Sequence, residues 1–163
     1  GTYGGPQEFG MRAGTENVAG IVGFGKACEQ AKRKLESPGA VYLERMRDSL
    51  HKLITSAIAD VEFYGDSEFR LPNTLSLGFE CLGGDALLMG LDVEGISVST
   101  GSACSSGSPL PSHVLAAMGI PEEKINSSLR FSLGWSNTEE EMQIVSSKLR
   151  HIVERIRLAS LVS

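Results

Sequence analysis

Residues 71–80 read LPNTLSLGFE. Leu75, Leu77 and Phe79 alternate there with Ser76, Gly78 and Glu80. A period of two sends one set of side chains to a core and the other outward, so the stretch reads as a half-buried strand. The same alternation returns at Leu129, Phe131 and Leu133, with Arg130 and Ser132 between them. Val61, Phe63 and Tyr64 suggest a short strand ahead of the first. Ile96 and Val98 begin another, which runs into the serine-rich segment SVSTGSACSSGSPLPSHV at residues 97–114.

Around these strands the period changes to that of helices. From Glu16 to about Leu35, residues Val18, Ile21, Phe24, Cys28 and Ala31 fall on one side of a helix. Ser37, Pro38 and Gly39 break it. A second helix is expected from about Val41 to Ala59, with Leu43, Met46, Leu50, Leu53, Ile54 and Ala57 as its apolar stripe. Gly83 and Gly84 turn the chain into a short helix through Ala86 to Leu91. Ser112 can cap another that stops at Met118 and Gly119. Thr138 followed by Glu141 is a capping box. It opens a long closing helix whose stripe is Met142, Val145, Leu149, Ile152, Val153 and Ile156. Arg150, Arg155 and Arg157 suit the dipole at its end. Helices first, strands mixed with helices next and a helix last imply an α+β fold with a small, mostly antiparallel sheet packed with helices. No internal repeat or long disordered tract is visible.

The 163 residues suffice for one compact domain or one lobe of a larger protein. A net charge of −5 argues against nucleic acid as a partner. The apolar runs are too short to span a bilayer, and no signal peptide is visible, so no membrane partner is expected. Three cysteines (Cys28, Cys81, Cys104) without paired spacing do not form a disulfide framework. His51, His113 and His151 are scattered, so no metal site is expected. The pattern implies a reducing, cytoplasmic setting. The chain opens at Gly1 inside a glycine-rich turn, as expected of an excised or truncated piece.

Three motifs invite readings that their context does not support. Residues 20–26 read GIVGFGK, close to a phosphate loop, but Ala27 replaces the magnesium-binding hydroxyl and the stretch has a helical period. Residues 49–52, SLHK, resemble a cofactor-lysine pair, yet Leu50 and Leu53 are core positions of a helix. His113 follows Cys104 by nine residues and reads better as a helix-start histidine than as the base of a Cys–His pair.

Three residues carry possible chemistry. Cys104 sits among serines and glycines, between a strand and a helix that would anchor a mobile loop as a swinging arm. A free thiol of pKa near ~8.5 is a few per cent thiolate at neutral pH. Composition alone leaves an incidental exposed cysteine equally open. Arg130 lies on the strand face opposite Leu129, Phe131 and Leu133, where its fork could grip an amino-acid carboxylate or simply meet solvent. Thr15, in the glycine-rich opening, offers a hydroxyl at a helix start, suited to a phosphate or to an ordinary cap.

Four segments resemble, in order, those of the cysteine desulfurases. They are GGPQEFGMRAGTENV (4–18), LPNTLSLGFE (71–80), STGSACSSGSPLPSHVLAAMG (99–119) and SSLRFSLGWSNTEEE (127–141). These are pyridoxal phosphate enzymes of aminotransferase class V and fold type I. The cysteine segment is similar to that of the NifS/IscS-like group with a long mobile loop. The resemblance implies residues 1–36 as a turn and helix from the edge of the cofactor-binding large domain, at a dimer contact. It implies residues 37–163 as the C-terminal small domain carrying the cysteine loop.

It further implies a reaction that converts L-cysteine to L-alanine and leaves the sulfur on the enzyme as a persulfide. A sulfur acceptor or iron–sulfur scaffold protein would receive it, for cluster assembly or thiolation. By motif position Cys104 is the sulfur-accepting nucleophile, Arg130 binds the substrate carboxylate, and Thr15 reaches the phosphate of the partner's pyridoxal 5'-phosphate in a homodimer. The family's cofactor lysine, ring-stacking histidine and ring-pairing aspartate precede the opening motif. The chain alone is therefore expected to be inactive, and Lys52 cannot substitute. Pro6, Phe9 and Trp135 depart from the family pattern. A sulfur-relay module charged at Cys104 and a selenocysteine lyase are the alternatives.

Overall fold

The computed structural model describes residues 3–105 and 108–160, without the side chains of 102–105 and 108–110. The chain divides into two compact units, Gly1–Gly39 and Ala40–Ser163.

In the first unit, β1 (Pro6–Gln7) and β2 (Arg12–Ala13) pair antiparallel around a short 3-10 turn at Glu8–Gly10. The turn closes through left-handed backbone at Glu8 (φ 51°), Phe9 (φ 56°) and Gly10 (φ 83°). Helix α1 then runs over Val18–Glu36. Its cap is Asn17, whose side-chain oxygen accepts from the Gly20 N–H at 3.0 Å. The helix starts two residues later than the sequence period implies, because this Asn side chain offers a better cap than Thr15. No residue of α1 is buried, and Val18, Ile21 and Phe24 are 60–73% exposed.

The second unit begins with α2 (Gly39–Ala57) and β3 (Val61–Tyr64). Strand β4 (Thr74–Phe79), α3 (Gly84–Val93) and β5 (Ser99–Thr100) follow. Next come β6 (Ser102–Ser105), β7 (Ser108–Pro111), α4 (His113–Ala117) and α5 (Glu122–Asn126). Strand β8 (Ser128–Ser132) and α6 (Glu139–Ser160) complete it. The main sheet has the order β3-β4-β8-β5, and its three pairings are all antiparallel. Leu75, Leu77, Phe79, Leu129 and Phe131 project from one face into a core with Leu43, Met46, Leu50 and Ile54 of α2. Leu87 and Leu91 of α3 and Met142, Leu149, Ile152 and Val153 of α6 complete that core. Each such side chain contributes ~1.5–3 kcal/mol by leaving water. The result is an α+β fold with α2, α3 and α6 on one face of a small sheet.

The capping box forms: the Glu141 N–H donates to Thr138 Oγ1 at 3.3 Å, and the Thr138 N–H donates to Glu141 Oε2 at 3.0 Å. Ser112 caps α4 by accepting from the Leu115 N–H. Ala57, expected in the stripe of α2, is exposed instead, at the last position of the helix. Ile96 and Val98 are partly buried against the core but precede the strand, which is only Ser99–Thr100.

A smaller cluster of Tyr64, Leu115 and Ile125, with Ile120 beside it, covers part of the sheet's other face. Burial, reinforced by the charge of Glu62, pushes the Tyr64 phenol up to about 12. It stays neutral and donates to Glu62 Oε2 at 3.4 Å. The hydroxyl end of the ring lies against Gly78 of the neighbouring strand. A Cβ there would stand 2.1 Å from Tyr64 Oη and 2.5 Å from its Cζ. Gly78→Ala should therefore cost about 2 kcal/mol in urea unfolding, the usual penalty for overpacking. Most of that penalty should vanish in a Tyr64→Ala background. An equal penalty in both backgrounds would show that the ring is not what demands glycine.

Candidate functional site

The outward face of the main sheet is polar where β4, β8 and β5 meet. Strand β8 lies between the other two, and its burial alternates: Leu129 and Phe131 are buried, while Arg130 and Ser132 are exposed. The register places Ser76 of β4 directly opposite Arg130, and Ser99 of β5 opposite it on the other side. Thr74 pairs with Ser132 on the same face. The arginine expected to face either a pocket or solvent thus stands at the middle of a row of hydroxyls. Among the described residues no carboxylate pairs with its guanidinium. Glu62, outward on β3, is held by Lys124 at 2.6 Å. A guanidinium without a counterion, flanked by small hydroxyl side chains, is an open seat for a carboxylate.

From Ser99 the chain continues through Gly101 into β6. A Cβ at Gly101 would meet Ser128 Oγ at 2.1 Å and the Ile125 carbonyl at 2.6 Å, so only glycine lets the chain pass so close to β8. Ser128 is itself buried and donates to the Ile125 carbonyl at 2.7 Å. Cys104 is five residues beyond the serine that pairs with Arg130. Its Cα is therefore at most about 18 Å from that serine's.

The serine, glycine and proline content of this segment implies a loop. The structure gives it instead the backbone of an antiparallel hairpin, with Cys104 opposite Pro109. Pro109 and Pro111 mask the strand signal, yet proline is tolerated on strands whose N–H is not needed by a neighbour. The Cys104 side chain lies outside the described residues. So do Ser106 and Gly107, on which part of the swinging-arm expectation falls.

Thr15 is exposed, two residues ahead of the α1 cap. Its position differs from the expected helix start. Asn17 already occupies the Gly20 N–H, so the free end of the helix is not what Thr15 presents. The turn that carries it is braced by Arg12, whose Nη1 donates to the carbonyls of Gly14 at 2.8 Å, Ala13 at 3.1 Å and Thr15 at 3.3 Å. The Thr15 hydroxyl has no hydrogen-bond partner among the described residues, and is available to a ligand. Thr15 and Arg130 belong to different compact units.

The remaining motifs fall where helices put them. Residues 20–26 are inside α1, with Lys26 paired to Glu29 at 2.8 Å. Lys52 is exposed on α2, and His113 is exposed at the first position of α4. Burial, with Arg70 nearby, holds the His51 imidazole below its ordinary pKa beside the Phe63 ring. Cys28 and Cys81 are free and exposed. Helix α5, after Pro121, has only five residues, too few to show a period in the sequence. The two serines beside Arg130 carry no motif of their own. The signal for Ser76 was in the alternation of LPNTLSLGFE itself, whereas its pairing with Arg130 needed the sheet order.

A residue able to hold a carbonyl cofactor as a Schiff base is a lysine screened from water. Lys26, Lys32, Lys124 and Lys148 are each spent on exposed ion pairs, and Lys34 and Lys52 are exposed on α1 and α2. The described residues thus do not fit the ring of such a cofactor, and the exposed Thr15 hydroxyl is their candidate for a peripheral contact with it.

Residues 3–145 match the family model Aminotransferase class-V. A cysteine desulfurase of Nostoc is 48% identical over 158 residues, covering 96% of this chain and 39% of the relative. A cysteine desulfurase IscS of Dictyoglomus turgidum is 43% identical, covering 97% of this chain and 40% of its own. The solved NifS-like protein of Rickettsia africae superposes with a TM-score of 0.78 at 31% identity, over 94% of this chain and 39% of that one. A further NifS-like structure gives 0.79 at 35% identity, over 94% of this chain and 38% of that one. The chain spans about two-fifths of the length of these relatives. With the sheet, the arginine-centred face and the match over most of its length, the chain belongs to the class-V aminotransferase family.

Proposed function

We propose that this chain is the C-terminal part of a cysteine desulfurase, residues 37–163 being its small domain and 1–36 the edge of its large domain. The observation that carries the reading is Arg130. It stands outward at the centre of the sheet with no counterion among the described residues, and the strand beside it leads within five residues to Cys104. In this reading the Arg130 fork holds the carboxylate of L-cysteine by two hydrogen bonds. That fixes the substrate's orientation, so that its sulfur points toward the hairpin carrying Cys104.

The Cys104 thiolate then attacks the substrate sulfur. A sulfur–sulfur bond forms as the substrate's carbon–sulfur bond breaks. The electron pair stays on carbon, which takes up a proton to give L-alanine. Cys104 is left as a persulfide, ready for a sulfur acceptor or an iron–sulfur scaffold protein. A thiolate is the competent nucleophile, and a free cysteine supplies a few per cent of it at neutral pH. Pyridoxal 5'-phosphate, when bound, supplies the electron-withdrawing power that loosens the substrate's bonds at carbon. This chain's share in holding it is the Thr15 hydroxyl, offered to the phosphate from across a homodimer.

The exposed apolar side of α1, with Val18, Ile21 and Phe24, supports burial of that helix in the intact enzyme. The free, exposed Cys28 and Cys81 support a reducing, cytoplasmic compartment. Catalysis also needs a lysine that none of this chain's lysines replaces. The chain by itself is inactive in this reading.

Alanine formation from L-cysteine, assayed in the full-length enzyme with the chain alone as blank, tests these roles. Arg130→Lys keeps the charge and loses the fork, and should raise the KM for L-cysteine about tenfold or more. An unchanged KM would remove Arg130 from substrate binding. Cys104→Ala should abolish the persulfide seen by mass spectrometry while leaving the cofactor's absorbance in place. Turnover to alanine and sulfide at the wild-type rate would remove Cys104 from the reaction.

A further inference from the structure

We infer that Ser76 and Ser99 complete the carboxylate seat around Arg130 and set its selectivity for a charged carboxylate. The inference rests on the reading of Arg130 as the substrate clamp. An ionised carboxylate has about four acceptor positions, and an arginine fork fills two of them. Further donors beside the fork meet the remaining acceptors with charge-assisted hydrogen bonds and so improve binding of the ion.

The sheet provides two such donors. Ser76 and Ser99 pair with Arg130 from opposite sides, and directly paired side chains on one sheet face have Cβ atoms about 4.5–5.5 Å apart. Both serines are half-buried, which limits where their hydroxyls can turn. Neither hydroxyl has a hydrogen-bond partner among the described residues. The neighbouring hydroxyl of Thr74 differs, since it donates to Asn73 Oδ1 at 3.4 Å. No acidic residue stands on this face of β4, β8 or β5 to compete for the guanidinium. Serine is also short. A longer side chain at either position would lie across the fork, whereas serine leaves the space open and keeps a donor at its edge.

The seat therefore consists of one fork and two flanking hydroxyls. It distinguishes a carboxylate from its neutral amide. The amide replaces one acceptor oxygen by an NH2 group, which opposes the donor-only fork; a serine hydroxyl can turn to accept from it, but that neutral bond is weaker than the charge-assisted one it donates to a carboxylate.

The experiment uses the full-length holoenzyme. It measures the KM for L-cysteine and the inhibition constants of L-alanine and L-alaninamide. Ser76→Ala and Ser99→Ala should each raise the cysteine KM and the L-alanine constant together, by about ten- to a hundredfold, the effect of one lost hydrogen bond to a charged group. The L-alaninamide constant should rise by less than the L-alanine constant, since hydrogen bonds to a neutral amide are weaker than those to an ion. Ser76→Thr and Ser99→Thr, which keep the hydroxyl on a residue favoured in strands, should restore selectivity for alanine over its amide. An unchanged selectivity in both alanine variants, with Arg130→Lys still reducing it, would overturn this inference and leave the clamp standing. Unchanged selectivity in Arg130→Lys would overturn the clamp as well. Alanine and threonine variants that lose selectivity equally would mean that packing, not the hydroxyl, is at work, and would also overturn it.

Discussion

The register of β8 between β4 and β5 is the constraint on which the rest depends. It pairs Leu129 with Leu77 and Phe131 with Leu75, and so seats all four side chains in the core. The same register turns Arg130 outward between Ser76 and Ser99. A slip of one residue would bury the guanidinium and expose Leu129 and Phe131. Burial of an unpaired charge costs several kcal/mol, and the exposed apolar groups would add to it. Stability of the core and presentation of the arginine are thus set by one alignment. Selection for a tight core would hold the site in place.

Helices α2, α3 and α6 act on this alignment from one side only. They cover the inner face with leucine, isoleucine and methionine side chains and leave the outer face to two different uses. Toward β3, Tyr64, Leu115 and Ile125 close it with a small apolar cluster. Toward β5, serines and Arg130 keep it polar. Gly101 marks the exit from this polar end. The close passage over Ser128 that it permits fixes where the chain leaves β5 for the hairpin. The strand register and one glycine thereby govern the reach of Cys104.

Much of this was legible in the sequence because the relevant signals are local. The alternations at 75–79 and 129–133 give both central strands and the outward side of Arg130. Thr138 and Glu141 announce α6 through a box that needs only four residues. Other features depend on what is far away in the chain. The pairing of Ser99 with Arg130 spans 31 positions and follows from the sheet order, which no local pattern encodes. The 102–111 hairpin has serine, glycine and proline where strands usually have branched side chains, so its composition reads as loop. The start of α1 at Asn17 and not near Thr15 reflects competition between two plausible caps, decided by the Asn17 side chain reaching the Gly20 N–H. Even the apolar side of α1, plain as a helical period, does not reveal what it packs against.

The claim at the centre of this account is that a substrate carboxylate sits on the outward face of β8. A crystal structure of the full-length enzyme with the product L-alanine tests it most directly. The account predicts the alanine carboxylate within hydrogen-bond distance of both terminal nitrogens of Arg130, with the Ser76 and Ser99 hydroxyls turned toward it. A carboxylate bound elsewhere, with Arg130 extended into solvent, would contradict it.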